Sequence, residues 1–252
     1  MPRREGLLIF GRRSLPSVTS PLSMTAPNRP YLLAFALLLA AVAALAIDVP
    51  VAQCAFANWM FGDLRKFLDI TEVFAHGMGV MMILVAVRVL DPSSNRKLPR
   101  AVACAFGSGV IALLAKQLVP RIRPNEFDYS GDVFSSFPGF RSADLDAVAG
   151  LVGRAIQSFP SGHAATAVGL AFALSWLYPR GKYLFAAIAV LAATQRVEAS
   201  AHFVSDTLVG AAIGCVIAGC CLDERLVGRW FSRFERAPGP SAAAHDAATP
   251  CG

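Results

Sequence analysis

The sequence predicts an all-α membrane protein: a bundle of six transmembrane helices, with a short interfacial helix in the loop between spans three and four. Two observations predict it. Of the 252 residues 55% are hydrophobic and 16% charged, and the charges gather between long apolar runs. Those runs lack the alternation of strands and approach the ~20 residues that a helix needs to cross a bilayer.

The runs cover roughly residues 31–50, 70–90, 101–120, 161–178, 183–200 and 203–222. The first opens with YLLAFALLLAAVAALAI, free of charge, while the fourth and sixth are rich in Gly, Ala, Ser and Cys. Small residues let helices approach closely in lipid, where backbone contact replaces hydrophobic drive. Lys and Arg orient the bundle. With the N-terminus cytosolic, 15 of the 23 basic residues fall on the inner side: before span one, between spans two and three, between four and five, and after six. Both termini are then cytosolic, in a multi-pass protein of the plasma (inner) membrane whose partner is the phospholipid bilayer.

The longest connection, 121–160, lies on the non-cytoplasmic face. Within it Leu145, Val148, Val152, Ile156 and Phe159 share one helical face, and Ser142 is placed to cap it, with Asp144 and Asp146 in the first turn. This segment is the expected interfacial helix. Residues 1–29 read as a disordered cytosolic extension, with Met24 as an alternative start. Residues 30–224 form the six-span domain, and 225–252 a basic, then low-complexity tail.

Some classes are excluded. The net charge of +6 comes from basic residues in the connections, without the interleaved aromatics of a nucleic-acid surface. The six cysteines show no zinc or redox spacing and read as small packing residues.

Three polar clusters stand at the ends of the spans, where charge in a membrane protein marks function. KQLVPRIRP closes the third span with Lys116, Arg123 and Pro124. PSGH, Pro160 to His163, opens the fourth. RVEASAHFVSD joins the fifth to the sixth with Arg196, His202 and Asp206. The topology, derived from hydropathy and basic residues alone, puts all three on one face. Lys116, Arg123 and Arg196 then direct three positive charges at one point, suited to an anion with several oxygens; arginine can hold phosphate bidentately. Gly162 lets backbone approach a ligand, and free N–H groups at Ser161 and Gly162 would face an anion at a helix N-terminus. His163 and His202 titrate near neutrality, one able to attack and one to protonate. Asp206, one helical turn after His202, could accept its Nδ1 proton and leave Nε2 free to attack. No arrangement suggests a metal site.

KxxxxxxRP, PSGH and RxxxxxHxxxD, in that order, resemble the three signatures of the type 2 phosphatidic acid phosphatase superfamily. The resemblance runs from Lys116 to Asp206 and implies metal-free hydrolysis of a lipid phosphate monoester or diphosphate through a phosphohistidine, without a cofactor. It implies that Lys116, Arg123, Ser161, Gly162 and Arg196 bind phosphate. His163 is then the leaving-group acid, His202 the nucleophile and Asp206 its orienting carboxylate. One position departs: the third signature usually begins Ser-Arg, and Gln195 precedes Arg196 here. The rival readings are a transporter, a vanadium haloperoxidase and an inactive scaffold of the same fold. Transporters bind near the bilayer midplane in broken helices, haloperoxidase relatives are typically soluble, and every catalytic position is filled. His76 and Glu198 have no motif role. Phe127, Tyr129, Phe134, Phe137 and Phe140 could cradle a lipid chain or anchor the loop at the interface.

Overall fold

The computed structural model describes residues 28–57, 60–138 and 153–235. Among these, secondary structure is helical apart from one bridge between extended residues, Arg121 and Gln157. The helices are α1 (Arg29–Phe56), α2 (Gly62–Thr71), α3 (Gly77–Leu90), α4 (Leu98–Ala115), α5 (Gly162–Leu177), α6 (Lys182–Glu198), α7 (Val204–Leu222) and α8 (Gly228–Glu235). α5 stands at the centre, packed on α4, α6 and α7; α1 lies along α7 and α2 against α6.

Small residues set this packing. A Cβ on Gly169 of α5 would come 2.3 Å from the Cys104 carbonyl oxygen of α4, and one on Gly210 of α7 would come 2.2 Å from that of Ser161. The helices therefore touch backbone to backbone, as the small-residue composition of the fourth and sixth segments implied. Ala101, Cys104, Ala105, Ala167, Leu170 and Ala218 build the centre. Cys104, Cys215 and Cys221 are buried free thiols that pack as small apolar groups. Outward-facing residues are large and apolar: Leu32, Phe35 and Leu39 on α1, Met82 and Val89 on α3, Leu113 and Leu114 on α4. Small residues inside and large apolar ones outside suit a bundle whose solvent is lipid.

α1, the segment Pro92–Ala115 and α7 are each long and apolar enough to cross a membrane, and α2 with α3 adds a fourth if the bent pair is one span. α5 is apolar but has only 16 residues, about 24 Å at the helical rise. The second span differs most from expectation. In place of one helix over 70–90, α2 ends at Thr71, a 3₁₀ turn covers Glu72–Phe74, and α3 leaves at 65° to α2. His76 is extended, and α3 then packs so tightly on the turn that a Cβ on Gly79 would lie 2.0 Å from the Val73 carbonyl oxygen. Span three closes at Ala115, short of 120. Span one runs on to Phe56 with Pro50 inside it. The expected interfacial helix falls largely on 142–152, outside the described residues; Gly153–Ile156 is a 3₁₀ turn.

At the end of the bundle that carries α8, Arg100 is buried and donates to Glu224 (2.8 Å), the Gly228 carbonyl (2.9 Å) and Ser232 (2.7 Å). Its guanidinium also lies over the Trp176 ring. These contacts hold α8, a helix within the segment that the sequence predicts as a tail.

Candidate active site

Four helix ends meet at the opposite end of the bundle. They are the C-termini of α4 and α6 and the N-termini of α5 and α7. Backbone pairing joins the first two signatures. Arg121 N–H donates to the Ile156 carbonyl (3.0 Å), Arg123 N–H to that of Ala155 (2.9 Å), and Ser158 N–H to that of Arg121 (3.0 Å). Lys116, just past the end of α4, crosses to the same segment and donates from Nζ to the Gln157 carbonyl at 2.9 Å. The third signature is held by a tight turn in which Ala201 and His202 N–H both donate to the Arg196 carbonyl and Ser200 takes a positive φ of 51°.

His202 is buried against Asp206, with Nδ1 3.8 Å from Oδ2. That separation exceeds a hydrogen bond, and the carboxylate holds three other donors. Oδ1 accepts from Arg121 Nη1 at 2.5 Å, and Oδ2 from Ser158 Oγ at 2.6 Å and from the Phe203 N–H at 2.9 Å. The last contact also caps α7. Burial pushes the His202 pKa below its usual value, with the Asp206 charge opposing and Lys116 and Arg123 adding to the drop. The Lys116 pKa is lowered to about 8, first by burial and then by the Arg123 charge, with Asp206 opposing.

His163 occupies the first turn of α5, and its imidazole lies in the fields of Arg196, His202, His76 and Lys116. Ser161 caps α5, its Oγ accepting from the Ala164 N–H at 3.3 Å. The Ser161 N–H differs from expectation. It donates to the Asp206 carbonyl at 3.0 Å and is not free for an anion. Space remains at Gly162, where an added Cβ would meet nothing within 4 Å. A backbone N–H at a helix start beside open space can approach an anion closely. The structure thus gathers Lys116, Arg123, Ser161, Gly162, His163, Arg196, His202 and Asp206 at one end of the bundle.

Several participants escaped the sequence reading. Arg121, fully buried, bridges Asp206 and Asp48, donating from Nη2 to Asp48 Oδ2 at 2.8 Å; Asp48 also accepts from the Ser205 N–H at 3.0 Å. Phe203 and Phe137 stack on its guanidinium at 4.0 and 4.4 Å. Glu72, at the break after α2, accepts from Arg196 Nη1 at 2.9 Å and stands 3.7 Å from His163 Nε2. An acidic residue at the end of the apolar first run, and a second arginine inside KQLVPRIRP, were the available signals. Of the aromatic loop, Phe127 packs edge-on against Phe203 and Tyr129, whereas Phe134 is exposed. Phe140 lies outside the described residues. Among the described residues no group of three or more His, Cys, Asp or Glu could hold a metal ion.

The family model described as the PAP2 superfamily matches residues 98–225, half of the chain and all three clusters. The chain belongs to the PAP2 superfamily. Two similar PAP2 relatives are lipid A 1-phosphatases. That of Rhizobium etli is 35% identical over 108 residues, 42% of this chain and 41% of its own. That of Rhizobium johnstonii is also 35% identical over 108 residues, 42% of this chain and 39% of its own. The alignments thus span about two fifths of the length of these relatives. A crystal structure described as the first transmembrane PAP2 type phosphatidylglycerolphosphate phosphatase, from Bacillus subtilis, superposes with a TM-score of 0.53 at 18% identity. That match covers 84% of this chain and 98% of the other. It shows the fold, and the apolar helices make this a multi-pass membrane protein.

Proposed function

We propose that this PAP2 protein is an integral-membrane lipid phosphate phosphatase that hydrolyses a phosphate monoester or diphosphate through a phosphohistidine, without a metal ion. One observation carries the reading: two histidines and three cations converge from four helix ends at one end of an apolar bundle. The names of the relatives point the same way.

In this mechanism Lys116, Arg123 and Arg196, with the Gly162 N–H, hold the phosphoryl oxygens. His202 Nε2 attacks phosphorus in line and forms the P–N bond as the P–O bond to the lipid breaks. His163 gives its proton to the departing alkoxide. Deprotonated His163 then takes a proton from water, whose oxygen attacks the phosphohistidine, releasing phosphate and restoring His202. Asp206 orients His202 and stabilises its imidazolium, and is itself fixed by Arg121 and Ser158. The cations spread the developing charge, a role that metal ions fill elsewhere. In this reading α1, the bent pair, α4, α5, α6 and α7 make six crossings, with the site on the non-cytoplasmic face and both termini inside.

Lipid A 1-phosphate and phosphatidylglycerophosphate are the first substrates to assay, ahead of phosphatidate and polyprenyl diphosphate. Purified protein is given each lipid with and without EDTA, beside His202→Ala, and released phosphate is measured. Hydrolysis that survives EDTA and vanishes in His202→Ala is expected; inertness of wild type toward the whole panel refutes the reading.

A further inference from the structure

α2 and the turn after it bring a polar, acidic wall against the cationic site. Asp69 and Glu72, three residues apart, both turn onto α6. Gln195 Nε2 donates to Asp69 Oδ1 at 3.0 Å, Gln195 Oε1 accepts from Arg196 Nε at 2.7 Å, and Arg196 Nη1 donates to Glu72 Oε1 at 2.9 Å. Arg65 and Glu198 extend the strip with an ion pair at 2.5 Å. Gln195, where the signature usually carries serine, is the link: a serine side chain would be too short to reach Asp69 and Arg196 together. The same Glu72 oxygen lies 3.7 Å from His163 Nε2, and both side chains are about one third exposed, at 34% and 31%. The His76 ring lies 6.0 Å from that of His163.

We infer that Glu72 sets the leaving-group specificity of this site, favouring a leaving oxygen carried on a hydroxylated carbon skeleton and opposing one carried on a second phosphate. The inference rests on the phosphatase reading above. There the leaving oxygen sits within hydrogen-bond reach of His163 Nε2, about 3 Å. Atoms bonded to that oxygen therefore come within about 8 Å of the Glu72 carboxylate. A carboxylate only accepts hydrogen bonds, so a glycerol or sugar hydroxyl satisfies it. A second phosphate meets like charge. At about 6–8 Å and an effective dielectric of about 20, that repulsion corresponds to a discrimination of about ten- to a hundredfold. Arg196 does not cancel the effect, because its charge is shared with the phosphoryl group being transferred.

The test uses purified full-length protein, with phosphatidylglycerophosphate and a polyprenyl diphosphate as substrates. The ratio of kcat/KM for the diphosphate to that for the monoester is measured in wild type, Glu72→Gln and Glu72→Asp. Glu72→Gln is expected to raise this ratio at least tenfold, and Glu72→Asp to hold it near wild type. A ratio within twofold of wild type in a folded Glu72→Gln protein overturns the inference, whatever happens to the absolute rates. Competition in wild type gives a second measurement that needs no variant. Inorganic pyrophosphate should inhibit no more tightly than inorganic phosphate, and tenfold tighter inhibition by pyrophosphate contradicts the role given to Glu72. Failure of the phosphatase reading looks different: wild type hydrolyses neither lipid, or His202→Ala retains turnover.

Discussion

Replacing Arg121 by Gln should unfold the site before it abolishes any contact with substrate. The Arg121 guanidinium is fully buried and holds two carboxylates that are themselves fully buried, Asp48 from α1 at 2.8 Å and Asp206 from α7 at 2.5 Å. Glutamine retains hydrogen-bonding capacity and some of the stacking area between Phe137 and Phe203, but removes the charge. Breaking a buried pair by removing one partner costs about 3–5 kcal/mol, because a desolvated charge remains. Here two carboxylates lose their shared counterion, so the upper part of that range is expected. At roughly 2–4 °C per kcal/mol for a chain of this size, the melting temperature should fall by about 10–20 °C. Asp48→Asn added to Arg121→Gln removes one of the stranded charges and should recover about 1–3 kcal/mol, a coupling typical of residues in one network. The assay is thermal unfolding of the detergent-solubilised protein at one fixed scan rate for all variants, since unfolding of such proteins is commonly irreversible. A single variant melting within about 2 °C of wild type, or a double variant no more stable than the single, would refute the claim that Arg121 neutralises both acids.

Four further outcomes are expected. Since Lys116 loses its proton near pH 8, kcat/KM should fall as pH rises through about 8 while the cation needed for phosphate disappears. Lys116→Arg should move that limb upward, and an unmoved limb assigns it elsewhere. The depressed pKa of His202 keeps its imidazole neutral and nucleophilic below the usual histidine range, so loss of activity from its protonation should begin below pH 6.5. His163→Ala should lose ~10²–10⁴-fold on a lipid monoester, whose alkoxide needs a proton, and much less on p-nitrophenyl phosphate; equal losses on both would remove it from the acid role. In a background lacking Cys54 and Cys251, a cysteine replacing exposed Ser130 should react with an impermeant thiol reagent added outside intact cells. One replacing exposed Arg96 should not, and the reverse pattern would put the site in the cytosol.

The sequence made the ends of the helices easier to read than their interiors. Lys116, Arg123, His163, Arg196, His202 and Asp206 were visible because polar residues in fixed spacing interrupt apolar runs, and the hydropathy topology alone placed them together. Asp48 is not legible as a site residue because the charge-free run ends at Ile47, and Pro50 suggests an ending where the helix continues to Phe56. Arg121 fell in the variable stretch of its signature, where nothing local marks a partner 85 residues away in sequence. The break at Glu72–Phe74 is hidden because hydropathy averages over it: HGMG reads as apolar, yet the missing Cβ of Gly79 is what lets α3 lie against the Val73 carbonyl. With that break missed, Glu72 could not be placed against Arg196, nor Gln195 understood as more than a departure from pattern.

The central claim is a covalent intermediate on His202, and a rapid-quench experiment tests it most directly. Lipid substrate labelled in its phosphate is mixed with enzyme, quenched in alkali within the first turnover, and the protein digested and mapped. Phosphohistidine is stable to base and labile to acid, so label is predicted on the peptide containing His202, appearing before free phosphate and absent from His202→Ala. Release of free phosphate at the full single-turnover rate with no label on His202, or substantial turnover by His202→Ala, would contradict the account.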